Sequence, residues 1–258
     1  VVAENRPGAN GIIAAELLVK GPPDGHTLLF VAMGHAINSL IYRKLPYDTE
    51  RDFTPVSLAA MYSQFVLTHP SVPARSLKDL IALAKSRRVT YASGGVGSSQ
   101  HLAAALVAHM AKLDMVHVPY KGGAPGLVDL IAGNVDVMIT QPTSVEHIKA
   151  GKLRALAITA PKRSALWPEV PTVSEAALPG YESQAWYGLV GPRGLPPELL
   201  RKLSEEAVRG IRTRELRENL ASQGGEPVGS SPTEFSRFIS AEIRRYAQVV
   251  RDAGISAE

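Results

Sequence analysis

The stretch VTYASGGVGSSQHLAAALVAHMAKLDMVHVPYKGGAPGLVDLIAGNVDVMIT, residues 89–140, decides the fold. Val89–Ala92 reads as a short apolar strand, Ser93–Ser99 as a glycine-rich loop and Gln100–Leu113 as a helix. The theme then repeats: strand Met115–Val118, a second glycine-rich loop, helix Pro125–Ala132 and strand Val135–Thr140. Strands alternating with helices in this way predict a βαβαβ unit, a parallel sheet with right-handed crossovers.

Outward from this unit, Leu77–Ser86 has helical spacing behind the N-cap Ser76, and Val56–Ala60 and Gln64–His69 read as strands. Toward the start lie a strand over Val1–Glu4, a helix over Gly11–Lys20 that stops at Gly21-Pro22-Pro23, and a short helix over Ala36–Arg43. Thr27–Met33 is apolar without alternation, which predicts a parallel strand buried on both faces. On the other side, a helix over Ser144–Ala150 leads to strand Leu153–Thr159, and the proline-rich 161–180 breaks regular structure. Trp186–Val190 reads as a strand, Pro197–Ile211 as a helix with one apolar face, and Pro232–Arg251 as a C-terminal helix.

The chain has 258 residues, enough for one large core or two modest ones, with 45% hydrophobic and 20% charged residues. That balance is globular, not disordered. The net charge of +4 is spread among 24 acidic residues, and only Arg87-Arg88 and Arg244-Arg245 are paired, so no nucleic-acid partner is expected. There is no cysteine, which excludes disulfides, thiolate nucleophiles and Cys-ligated metals. No apolar run approaches the ~18 residues needed to span a bilayer. Val1-Val2-Ala3-Glu4-Asn5-Arg6-Pro7-Gly8 reads as a strand running straight into a loop, and residues are expected to be missing upstream of it.

Three strand-to-helix turns share glycine and small hydroxyls: Met33-Gly34-His35-Ala36, Ser93-Gly94-Gly95-Val96-Gly97-Ser98-Ser99, and Tyr120 to Gly126. Each ends at a helix start, where unpaired N–H groups and the helix dipole favour an anion. Each is also what an ordinary capped turn looks like, but loops at the carboxyl ends of parallel strands converge on one crevice. Enzyme templates do not match: Gly95-Val96-Gly97 is followed by Ser98-Ser99-Gln100, not a third glycine, and no GxxxxGK, HExxH or GxSxG occurs. Ser99 and His101, two positions apart, diverge on a helix, so serine catalysis is the weaker alternative. The seven histidines make no metal-spaced pair, and neither a metal nor a cofactor is expected; His35, lying in a candidate loop, stands apart from the rest. Trp186 and Tyr187 read equally as core or as a ligand platform.

Glu4-Asn5-Arg6-Pro7-Gly8-Ala9, Pro23-Asp24-Gly25-His26-Thr27-Leu28, Tyr120-Lys121-Gly122-Gly123-Ala124-Pro125, Gly151-Lys152-Leu153-Arg154-Ala155-Leu156 and Pro171-Thr172-Val173-Ser174-Glu175 resemble, in order along the chain, the Bug family, the TctC-like receptors of tripartite tricarboxylate transporters. The Trp186 to Pro192 segment continues the match. The resemblance implies an α/β type II periplasmic binding protein, a Venus flytrap of two lobes with mainly parallel sheets. It divides the chain into 1–68 plus 183–258 and 69–182, the first lobe lacking the family's first strand, loop and helix.

By the same resemblance the protein is a periplasmic, non-enzymatic receptor, a monomer that binds a small carboxylate and meets a membrane permease. A sensor of the same fold that signals to a kinase is the alternative. Family carboxylates are held by backbone amides and waters, which nominates His35, Ala36, Ser93, Gly94, Gly95, Val96, Gly97, Ser98, Ser99, Gly122, Gly123 and Ala124, with Gln141 and Trp186 beside them. Where relatives often carry Asp-Asn, this chain has Thr140-Gln141, which argues against an amino-acid ligand.

Overall fold

A computed structural model describes residues 1–6 and 8–257; Pro7, Glu258 and the side chain of Thr143 lie outside the described residues. The chain forms two compact units, Val1–Met61 with Trp186–Glu258, and Tyr62–Ala185.

The first unit opens without regular structure over residues 1–6, so the strand expected at Val1–Glu4 is not formed. Helix α1 (Ile12–Val19), strand β1 (Leu29–Ala32), helix α2 (Gly34–Ile41) and strand β2 (Phe53–Tyr62) follow. β1 pairs antiparallel with β8 (Ala185–Pro192), Leu29 opposite Val190, at the edge of a sheet ordered β1-β8-β2-β9, where β9 is Gly225–Pro227. Its Phe30 is 61% exposed and stacks on Tyr187. The strand is therefore neither parallel nor buried on both faces, because an unalternating apolar run of this length specifies neither direction nor environment.

In the second unit, β3 (Phe65–Thr68) and the capped helix α3 (Leu77–Ser86) lead into β4 (Val89–Ser93), α4 (Ser99–Ala111), β5 (Met115–Pro119), α5 (Gly123–Ala132) and β6 (Val137–Thr140). Ser76 accepts the Asp79 amide at 3.1 Å, as its position before an apolar repeat predicts. The short helix α6 (Val145–Lys149), β7 (Arg154–Ile158) and the one-turn α7 (Val173–Ala176), which has a Thr172–Glu175 capping box, complete the unit.

The five-stranded sheet runs β5-β4-β6-β3-β7. β4 is parallel to both β5 and β6, the βαβαβ unit read from the sequence. β3 is antiparallel to β6 and β7, so the sheet is mixed, not mainly parallel. These bonds also carry residues 65–68, assigned to the first lobe by resemblance, into the second unit. Both faces of the sheet are covered, Val66, Val137 and Ile139 facing one cluster and Phe65, Leu67 and Met138 the other.

The chain returns to the first unit through β8, then α8 (Pro197–Ile211), α9 (Arg214–Ser222), β9 (Gly225–Pro227) and α10 (Pro232–Asp252). α9 and β9 have no counterpart in the sequence reading: α9 is a polar helix with few apolar residues, and three residues are too few for a strand pattern. α10 is fixed at its start by Ser231 and Glu234, a capping box.

Candidate functional site

Of the three turns, those of the second unit come together. β4 and β5 lie in parallel register through Ser93 opposite Pro119, and the pairing continues into the loops beyond. The Tyr120 amide donates to the Ser93 carbonyl at 3.0 Å, and the Gly122 amide to the Gly94 carbonyl at 3.3 Å. The starts of α4 and α5 are thereby side by side at the carboxyl ends of the parallel strands, where ligands of α/β sheets bind. Tyr120 is tied to α5 by its hydroxyl, which donates to Asp129 at 2.6 Å.

Gln100, in the first turn of α4, locks this arrangement. Its Oε1 accepts the Gly94 amide at 2.6 Å, and its Nε2 donates to Thr140 Oγ1 at 2.9 Å, joining α4 to the end of β6. There is room for it only because its neighbours lack side chains. A Cβ on Gly94 would lie 2.8 Å from Gln100 Oε1, and one on Gly123 would lie 2.7 Å from Nε2. Gln100 is not singled out by the sequence, because what joins it to Thr140 is long-range: 40 positions separate them.

The 93–98 loop is also anchored from beneath. Ser93, fully buried, meets His117 Nε2 at 2.6 Å and accepts the Gly95 amide at 3.1 Å. His101 Nδ1 accepts the Gly97 amide at 3.1 Å. The His101 and His117 rings stack 3.8 Å apart, with Tyr91 against both. Burial drives the His101 pKa down to about 3, with His117 adding to the effect, and burial brings His117 to about 4. Both are neutral at pH 7, as acceptance of the Gly97 amide by His101 requires.

Ser98 caps α4 by accepting the His101 amide at 3.2 Å. With Gly94, Gly95 and Gly97 committed to protein acceptors, the amides of Val96, Ser99, Gln100, Gly123 and Ala124 meet no protein acceptor among the described residues. Two helix starts thus present free N–H groups, with the Ser99 hydroxyl beside them. No carboxylate is bonded to these groups among the described residues, so an anion meets donors and dipoles without a competing charge. Gln141, after Thr140, is half-buried and caps the following turn, where its carbonyl accepts the Ser144 hydroxyl at 3.3 Å.

The first unit's turn is different, and His35, Ala36 and Trp186, nominated with it as ligand contacts, are buried. His35 is 5% exposed, set edge-on to Phe53 at 4.6 Å and stacked near Tyr47, and Ala36 is fully buried. Burial lowers the His35 pKa to about 4. The α2 start is overlaid by Asn10, whose side chain donates to Asn38 Oδ1 at 2.9 Å and would collide with any Cβ on Gly34. Trp186 is fully buried, packed edge-on against Phe235 and Phe238, with its indole N–H donating to Glu242 at 3.1 Å. All three side chains are buried, and His35 Nε2 has no hydrogen-bond partner among the described residues.

At the two loops the serine hydroxyl that meets an imidazole is that of Ser93, against His117, not that of Ser98 or Ser99, and Ser93 is closed to solvent; the other such pair, Ser71 with His69 at 2.7 Å, follows the opposite end of β3. Among the described residues no group of three or more His, Cys, Asp or Glu could hold a metal ion, and no helix is long and apolar enough to cross a membrane.

Residues 1–255 match the family described as "Tripartite tricarboxylate transporter family receptor", TctC. BugT of Bordetella pertussis is 34% identical over 98% of this chain and 79% of its own. A Rhodopseudomonas palustris protein solved with adipate superposes with a TM-score of 0.92 at 37% identity, over 99% of this chain and 87% of that one. MatC from the same organism, solved with bound malate, gives 0.85 at 32% identity, over 94% and 85%.

Proposed function

The chain belongs to the TctC family of tripartite tricarboxylate transporter receptors, and from that membership we propose that it is a periplasmic receptor that captures a small carboxylate reversibly and delivers it to a membrane permease. The observation that carries this reading is the pair of abutting helix starts in the second unit, fixed by Gln100, with five amides and the Ser99 hydroxyl left for an anion. Adipate and malate in the solved relatives support the same ligand class.

The donors, five backbone amides and a hydroxyl, are neutral. Hydrogen bonds to a charged acceptor contribute about 1.5–3 kcal/mol each, so a few of them yield micromolar binding that still permits release. The chemistry of the site is binding without turnover. Within the site, Ser93, which meets His117, is inaccessible, and Ser98 is spent on a helix cap.

Isothermal titration and thermal shift against a panel of mono-, di- and tricarboxylates test the reading. Micromolar binding of at least one member is expected, and no heat and no shift with any member would overturn it. Mass spectrometry of ligand carried through purification would identify the native acid.

A further inference from the structure

Gln64, just before β3, was not singled out by the sequence and is fully buried. Its backbone is held at both ends: its N–H donates to Thr159 Oγ1 at 2.9 Å, and its carbonyl accepts the Thr159 amide at 2.8 Å. β3 is antiparallel to β6 with Phe65 opposite Thr140, so Gln64 stands at the same sheet end as the Gln100–Thr140 lock. Its side chain reaches Ser99 in the first turn of α4, where Nε2 approaches Oγ at 3.5 Å, the long limit of a hydrogen bond. Its Oε1 is buried and has no partner.

A buried amide oxygen left unpaired costs about 1–3 kcal/mol, and such groups persist where function requires them. An apolar side chain of the same length would avoid that cost. Oε1 can only accept, so it suits a donor and repels a carboxylate. The groups around it decide which donor: the Ser99 hydroxyl and the α4 start, which favour an anion, lie beside it, and none of the side chains that bond one another there (Gln64, Ser99, Gln100, Thr140) is an acid that would compensate an ammonium. A neutral hydroxyl close to a carboxylate satisfies both requirements.

We propose that Gln64 determines specificity by accepting a hydrogen bond from a hydroxyl on the carbon next to the ligand's carboxylate, so that the site selects 2-hydroxy acids over their deoxy counterparts. This rests on the carboxylate reading above and adds to it the class of acid. Because the Gln64 backbone is pinned, only its side-chain torsions can turn the amide toward a ligand beside Ser99.

Titration of the full chain at neutral pH with malate and succinate, which differ by one hydroxyl, tests it, with Gln64→Met as the variant that keeps volume and removes the acceptor. The wild type should bind malate about tenfold more tightly than succinate, the loss expected when a buried acceptor is left unpaired. Gln64→Met should abolish that preference by weakening malate alone, while its melting temperature rises because the unpaired oxygen is gone. That pairing of outcomes separates recognition from a structural role, in which the melting temperature would fall.

Equal binding of the two acids by the wild type, or a malate preference that survives in Gln64→Met, would overturn the proposal. If Gln64→Met does not fold, Gln64→Leu takes its place with the same expected outcome, and equal binding of the two acids by the wild type overturns the proposal without either variant. Carboxylate binding without discrimination defeats only this proposal, whereas failure of every carboxylate to bind defeats the reading beneath it.

Discussion

The starts of α2 and α4 look alike in sequence, a glycine turn with a small or polar residue entering a helix after an apolar strand, yet their surroundings differ. At α2, His35 turns into an aromatic cluster and Asn10 covers Gly34. At α4, a second loop abuts the first, Gln100 spans both, and the amides that remain have no protein acceptor among the described residues. A helix start suits an anion when its donors are both unspent and open to approach, and at α2 the Asn10 side chain lies over Gly34.

Acid should affect both regions most strongly. His35, His101 and His117 are neutral in the folded protein, with pKa values brought from 6.5 to about 4, 3 and 4. Above pH 6.5 the folded and unfolded chains bind the same protons at these sites. Between 6.5 and about 4 the unfolded chain takes protons that the folded one refuses, so stability falls as pH falls. His35 alone accounts for about 3 kcal/mol of that loss. Denaturant titration across this range should show the fall, and His35→Phe should make it shallower without altering carboxylate affinity at pH 7. An affinity loss in His35→Phe would erase the contrast between the two helix starts.

Gln100→Leu should weaken carboxylate binding about thirtyfold, the effect of freeing the Gly94 amide and releasing Thr140, measured by titration calorimetry. Thr140→Val removes only one of Gln100's partners and should cost about fivefold in the same assay. Smallest is Ser76→Ala, which removes a helix cap in the same unit and should cost about 1 kcal/mol of stability with affinity unchanged. If Ser76→Ala lowered affinity as much as Gln100→Leu, the site would be responding to general loosening of the unit.

Local pattern made much of this legible. The βαβαβ unit, the Ser76 cap, the Pro197–Ile211 helix and the convergence of the Ser93–Ser99 and Gly122–Ala124 loops all follow from periodicity and glycine placement within a few tens of residues. What was not legible depends on distant partners. Nothing in Gln64–His69 says that the strand runs antiparallel to its neighbours, and this turned an expected parallel sheet into a mixed one. His35 and Trp186 have the chemistry of ligand contacts and differ from them only in burial, which Phe53, Phe235 and Glu242 impose from elsewhere in the chain. Gln100 and Gln64 look like any polar residues until the strands place Thr140 and Ser99 beside them. The family resemblance placed the whole chain, and side-chain packing then separated the nominated residues that are buried from those whose amides are left without a protein acceptor.

The most direct test of the central claim is residue-resolved amide hydrogen exchange with and without a bound carboxylate such as malate. The account predicts slowed exchange at Val96, Ser99, Gln100, Gly123 and Ala124, with no change at Gly34 and His35. Protection centred on Gly34–Ile37, with 96–100 and 123–124 unchanged, would contradict it.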